Sequence, residues 1–102
     1  MGLDIRLEDG DGKTLEEAPD LQNVLSRVLP SWDDASFHLL RYIDPWGDTI
    51  FNHLQMDELI AELRRIREKT ANEEERSFIS KVGTMALRCK DGDHLYLKFR
   101  GD

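Results

Sequence analysis

The sequence predicts an α+β domain: a four-stranded antiparallel or mixed sheet with an antiparallel helix pair on one face, a two-layer sandwich in the order β-α-β-β-α-α-β. Three observations predict it. Stretches near both termini alternate apolar and polar residues, the period of a half-buried strand. Three other stretches space their apolar residues as one face of a helix. The last two of these are separated only by residues 70–72, a connection short enough to make their helices antiparallel. At 102 residues the chain suits one domain, 1–102, and no repeat, linker or low-complexity tract divides it.

The elements follow in order. Leu3, Ile5 and Leu7 alternate with Asp4, Arg6 and Glu8, giving a first strand over 3–7. Asp9-Gly10-Asp11-Gly12 is a turn, because Asp and Gly tolerate left-handed dihedrals. Leu21, Val24, Leu25, Val28 and Leu29 predict a helix over 21–29, capped by Asp20 and stopped by Pro30. From Phe37 to Ile43 both parities carry large apolar side chains, which predicts a strand covered on both sides. Asp44-Pro45-Trp46-Gly47 is a turn into Thr49-Ile50-Phe51, so residues 37–53 read as a β-hairpin. Met56, Leu59, Ile60, Leu63 and Ile66 predict a helix over 56–69. Asn72 and Glu75 have the form of a capping box. The helix it starts, 73–90, turns Phe78, Ile79, Val82, Met85, Ala86 and Cys89 to one side. Leu95, Leu97 and Phe99 alternate within a final strand, 94–100, expected beside the first. The expected core includes Ile5, Leu25, Leu39, Leu59, Leu63, Phe78, Val82, Leu97 and Phe99.

Charge narrows the function classes. The formal net charge is −7. Residues 1–34 hold nine acids and three bases, a net of −6. Phosphate backbones and anionic lipid are repelled by such a surface, so neither nucleic acid nor membrane is an expected partner. A basic protein is attracted, and charge of this kind speeds encounter. The start of the chain is charged and alternating rather than apolar, which reads as a cytoplasmic protein. One cysteine excludes an internal disulfide framework and a multi-cysteine zinc site.

Catalytic and metal motifs fail one by one. Gly12-Lys13-Thr14 resembles the end of a phosphate-binding loop, but Leu7 stands where the earlier glycine is needed. Asp9 and Asp11 suggest a calcium loop, yet Lys13 and Thr14 occupy its fifth and sixth positions. Cys89 falls on the apolar stripe of its helix and reads as a buried structural thiol. His38, His53 and His94 show no paired ligand spacing. Glu58 and Glu62, four apart and near Arg64, Arg65 and Arg67, read as a solvated charged face. No cofactor and no metal follow from these residues.

The aromatic residues carry more. Trp46 is expected at a hairpin tip, and Trp32 lies in the loop Ser31-Trp32-Asp33-Asp34. Tryptophan dominates binding hot spots, particularly inside a polar rim. The candidate partner-binding set is therefore Glu8, Asp9, Asp11, Glu16, Glu17, Trp32, Asp33, Asp34 and Trp46.

Two strings, LRYIDPWGDTIFNHLQ from Leu40 to Gln55 and LYLKFRGD from Leu95 to Asp102, resemble segments of short acidic bacterial proteins whose function is generally unassigned. In size, acidity and α+β pattern the chain is also loosely similar to bacterial immunity proteins. That resemblance implies a non-enzymatic protein that binds and occludes a basic partner. Two other functions are compatible with the residues. One is a small-molecule-binding or enzymatic domain with a pocket between the sheet and helix 21–29. The other is an assembly domain that forms a homo-oligomer through a sheet edge.

Overall fold

In the computed structural model, which describes residues 2–101, four antiparallel strands form one sheet in the spatial order β2-β1-β4-β3. The strands are β1 (Asp4–Glu8), β2 (Thr14–Pro19), β3 (Asp48–Asn52) and β4 (Tyr96–Arg100). Three α-helices accompany them: α1 (Val24–Val28), α2 (Met56–Lys69) and α3 (Glu73–Asp91). The terminal strands do lie side by side, with Ile5 opposite Phe99 and Leu7 opposite Leu97. Phe51 on β3 faces Leu97 and meets Phe99 edge-on at 5.8 Å between ring centres. The alternation that defines these strands turns Ile5, Leu7, Ala18, Phe51, Leu97 and Phe99 into the core. Against them stand Ile79, Val82, Met85, Ala86 and Cys89 of α3, all buried.

The helix pair is antiparallel, as the short connection requires. Asp57 in the first turn of α2 pairs with Lys90 in the last turn of α3 at 2.7 Å. Asn72 caps α3 by accepting from the Glu75 backbone N–H. The reciprocal half of the expected capping box is absent, because the Glu75 carboxylate pairs with Arg27 at 2.7 Å instead. Of the expected core, Leu39 and Phe78 are only partly buried and pack against its edge.

Two expectations are corrected. The element order is β-β-α-β-α-α-β, because a second strand precedes the first helix. Residues Thr14–Pro19 have neither alternation nor β-branched content beyond Thr14, and only Ala18 is buried. Pairing with β1 makes this edge a strand, through a turn in which Asp9 Oδ1 accepts from the Asp11 and Lys13 N–H groups and Gly12 takes a positive φ. Pro19 at the end of an edge strand costs no ladder bond.

The second correction is larger. Residues 37–43 form no strand and no hairpin with β3. They fold as an irregular segment with a 3₁₀ turn at Leu40–Tyr42. Phe37, Leu40 and Ile43 are buried, spaced three apart, which is the repeat of a 3₁₀ turn rather than of a strand. Glu62 of α2 holds this segment. Its carboxylate accepts from the backbone N–H groups of His38 (2.7 Å), Leu39 (3.2 Å) and Leu40 (2.9 Å). The expectation that Glu62 lies on a solvated face is overturned: it is 4% exposed. Burying a carboxylate is costly unless its oxygens are satisfied, and three N–H donors satisfy them.

Candidate functional site

An open cleft of about 420 Å³ lies beside α1, at the end of the sheet where β1 begins. One wall comes from Leu3 and from Leu25, Ser26 and Leu29. Local chemistry explains that wall. Asp20 is buried and accepts from the Val24 and Leu25 N–H groups, both at 2.8 Å. The helix can start only after Asn23, which takes a left-handed φ of 55°. The expected helix 21–29 is shortened to Val24–Val28 for that reason.

The facing wall comes from Arg41, Ile43, Pro45 and Trp46. Glu62 fixes the start of this stretch. Its end is fixed by a turn in which Asp44 Oδ1 accepts from the Trp46 N–H at 2.9 Å. Gly101 donates to the Gly47 carbonyl at 2.7 Å and ties the turn to the sheet. A Cβ at Gly101 would come within 2.5 Å of the Pro45 carbonyl oxygen, so only glycine allows this approach.

Trp32 and Trp46 are 14 positions apart in sequence, and both line this one cleft. Neither has entered the core: Trp32 is 77% and Trp46 70% exposed. Two polar atoms on lining residues, Arg41 Nε and Asn23 Oδ1, are buried without a hydrogen-bond partner among the described residues. Each such group costs about 1–3 kcal/mol. Elsewhere on Arg41, Nη2 donates to the Tyr42 hydroxyl at 2.6 Å and the guanidinium stacks over the Tyr42 ring.

The sequence-predicted acids divide into three groups. Glu8, Glu16 and Glu17 face cations of their own chain: Lys98 at 3.8 Å, Arg88 at 2.9 Å and Arg6 at 2.9 Å. Glu8 is moreover only 9% exposed. Asp9 and Asp11 sit in the β1–β2 turn, at the far end of β1 from Leu3, about 20 Å along the strand. Asp33 and Asp34 follow Trp32 directly in sequence but do not line the cleft, and Asp34 lies within electrostatic reach of Arg65 and Lys69 on α2. Asp33 accepts from the Ser31 hydroxyl at 2.6 Å. Asp34 is held below the usual carboxylate range by the Ser36 hydroxyl and then by the Ser36 backbone N–H. Asp44, between lining residues Ile43 and Pro45, was outside the predicted set. Arg41 and Asn23 were outside it too. The signal for Arg41 was the three-residue spacing of Phe37, Leu40 and Ile43; Asn23 offered none.

The remaining chemical candidates are quieter. Cys89 is fully buried and free, and burial pushes its thiol up to about 11. His38 Nδ1 hydrogen-bonds Glu58, and with Glu62 these offer three ligand atoms within 4.8 Å of one another. The Glu62 oxygens are already taken by three backbone N–H groups, so the cluster works as a strut for residues 38–40. No helix among the described residues is long and apolar enough to cross a membrane. No family model, curated protein or solved structure matches the chain.

Proposed function

We propose that this chain is a non-enzymatic interaction protein, of the immunity type in its sharpest form, that binds a basic partner protein and occludes part of its surface. The contact is made by the cleft end of the molecule. One observation carries the reading: Trp32 and Trp46 arrive from separate loops at one cleft and both remain largely exposed. Large aromatic side chains beside acidic groups are what a hot spot with a polar rim is made of. Asp33 and Asp44 are next in sequence to the lining residues Trp32 and Pro45, have no ion-pair partner among the described residues, and supply negative charge beside the cleft. Asp34 interacts with Arg65 and Lys69, while Glu8, Glu16 and Glu17 form ion pairs within the chain. Long-range charge sets the association rate, and the tryptophans set dissociation.

The test is capture of a basic protein by the immobilised chain, compared with a Trp32→Ala/Trp46→Ala variant. The wild-type chain retains the partner and the variant loses it. Raising salt from about 0.05 to 0.5 M slows association, since the screening length falls well below 10 Å. Capture that ignores both the tryptophans and salt refutes the reading.

A further inference from the structure

We infer that the outer groove between α2 and α3 seats an acidic amphipathic helix of a partner protein. It is a second surface, and it does not rest on the cleft or on the proposed function.

Two helix ridges form the groove. Ile60, Arg64 and Arg67 line it from α2, and Ser80, Gly83 and Leu87 from α3. Each set steps by three or four residues, the spacing of one ridge along a helix. The buried Leu63 and Ile79 line it too. Toward the start of α3 the groove runs into an open hollow that shares Arg67 and Ser80 and adds Glu73, Arg76 and Ser77. Arg67 Nη1 donates to the Ser80 hydroxyl at 3.1 Å, which ties the two ridges together. From Arg76 to Leu87 the groove extends about 17 Å along α3, or about three helical turns.

Gly83 points to an occupant. Glycine inside a helix is less stable than alanine, because it loses more backbone freedom on folding. Nothing in this chain calls for it. Gly83 lies in the middle of α3, and a Cβ there would meet nothing within 4 Å. By contrast, a Cβ at Gly101 would collide with the Pro45 and Gly47 carbonyls. The fold leaves the space over Gly83 open, and a second backbone can come close there. Leu87, one turn on, is 50% exposed, an apolar side chain that the core does not take. The hollow over Gly83 is about 220 Å³, below the roughly 300–1,000 Å³ of pockets that enclose a small molecule. A shallow groove between two ridges is instead suited to a helix that presents apolar anchors at i, i+3/i+4 and i+7.

The charge of the occupant follows from the lining. The chain carries −7 overall, yet Arg64, Arg67 and Arg76 line this groove against one acid, Glu73. None of the three arginines has an ion-pair partner among the described residues. Asp or Glu beside the apolar anchors meets them. A nucleic acid would also answer the arginines, but the net charge of the chain repels it.

Selection from a phage library of helical peptides of about 14 residues, four turns, with counter-selection on Gly83→Met, tests the inference. Methionine is a good helix former and its side chain enters the open space, so the variant folds with its groove filled. The enriched peptides carry Leu, Ile or Met at i, i+3/i+4 and i+7, with Asp or Glu beside them. A synthetic copy of one becomes helical on binding. Gly83→Ala raises the urea midpoint of the chain and weakens the peptide about five-fold, opposite directions that a purely structural glycine would not give. Arg64→Glu/Arg76→Glu weakens it about ten-fold at about 0.05 M salt and much less at about 0.5 M. Circular dichroism confirms each fold, and the arginine variant serves for counter-selection if Gly83→Met does not fold. No enrichment over the counter-selected variant overturns the inference, as does enrichment of basic or uniformly polar peptides. Unchanged affinity in Gly83→Ala and in the arginine variant overturns it as well. If the chain sediments as a dimer and Gly83→Met as a monomer, the groove belongs to a second copy and the inference falls. The Trp32→Ala/Trp46→Ala variant keeps the helical peptide, and Gly83→Met keeps the basic partner, so the inference and the proposed function fail separately. Loss of the peptide in the tryptophan variant would put it in the cleft and overturn the inference.

Discussion

The polar face of the sheet and the cleft end differ in how they use their charged groups. On the sheet face, Arg6 lies 2.8 Å from Asp4 and 2.9 Å from Glu17, and Lys98 sits between Glu8 and Asp48 at 3.8 and 3.5 Å. Cross-strand register produces this pattern, since Arg6 stands opposite Glu17 and Asp48 opposite Arg100. The acids there have cationic partners, although Asp4 Oδ1 is left without a hydrogen bond among the described residues. At the cleft end, Asp33 and Asp44 have no ion-pair partner among the described residues, and two indoles face water. A charge count ranks the first region higher as a docking surface. Counting unpaired acids and exposed indoles reverses the ranking, because a partner gains most where the free protein leaves interactions unmade.

The largest expected effect bears on what holds the cleft together. Glu62→Ala removes the acceptor of three backbone N–H groups and should destabilise the fold by about 3 kcal/mol, read from urea unfolding. Partner binding should fall with it, because Glu62 holds the start of the wall bearing Arg41 and Ile43. A loss under about 1 kcal/mol would show that the wall stands without α2. Next, Trp32→Ala/Trp46→Ala should cost at least about 2 kcal/mol of partner affinity. The same change should leave stability within about 0.5 kcal/mol, since both side chains are mostly in water. Equal losses in stability and affinity would mean that the tryptophans shield the core rather than bind.

The converse substitution lies on the sheet face. Lys98→Met should lower stability by about 1 kcal/mol or less and leave partner affinity unchanged. A clear loss of affinity would break the contrast between the two regions. The smallest effect is a control beneath both. In the folded chain the Cys89 thiol is raised from its ordinary value of 9.0 to about 11 by burial. The unfolded chain therefore loses this proton first. Its contribution to stability is whole below pH 9 and fades as pH rises through about 11. Cys89→Ala should flatten that part of the wild-type profile relative to the parent, and thiol reagents should label the native protein slowly.

Most of the architecture was legible in the residues. The α2 and α3 stripes appear at nearly the expected bounds, and the alternation of β1 and β4 places Ile5, Leu97 and Phe99 in the core. Asp20 was read as the cap of the first helix; the N-cap position is Asn23, three residues later, but the Asp20 carboxylate still accepts the first two helical N–H groups, of Val24 and Leu25. These features depend on local periodicity and capping. Both tryptophans were recognised as binding candidates from their loops, yet nothing local indicated that they line one cleft.

What the sequence by itself determined was therefore the set of amphipathic elements and their faces, because burial of an apolar stripe needs only the right spacing along the chain. The tertiary structure alone decided two things. Thr14–Pro19 became a strand because β1 had an open edge to offer, not because its residues favour one. Residues 37–43 were kept from becoming a strand by the Glu62 carboxylate, 22 to 24 positions away in sequence, which takes the N–H groups of residues 38–40. That long-range capture, together with the Asp44 turn and the Gly101 tie, sets Arg41, Ile43 and Trp46 on one wall of the cleft that Trp32 also lines.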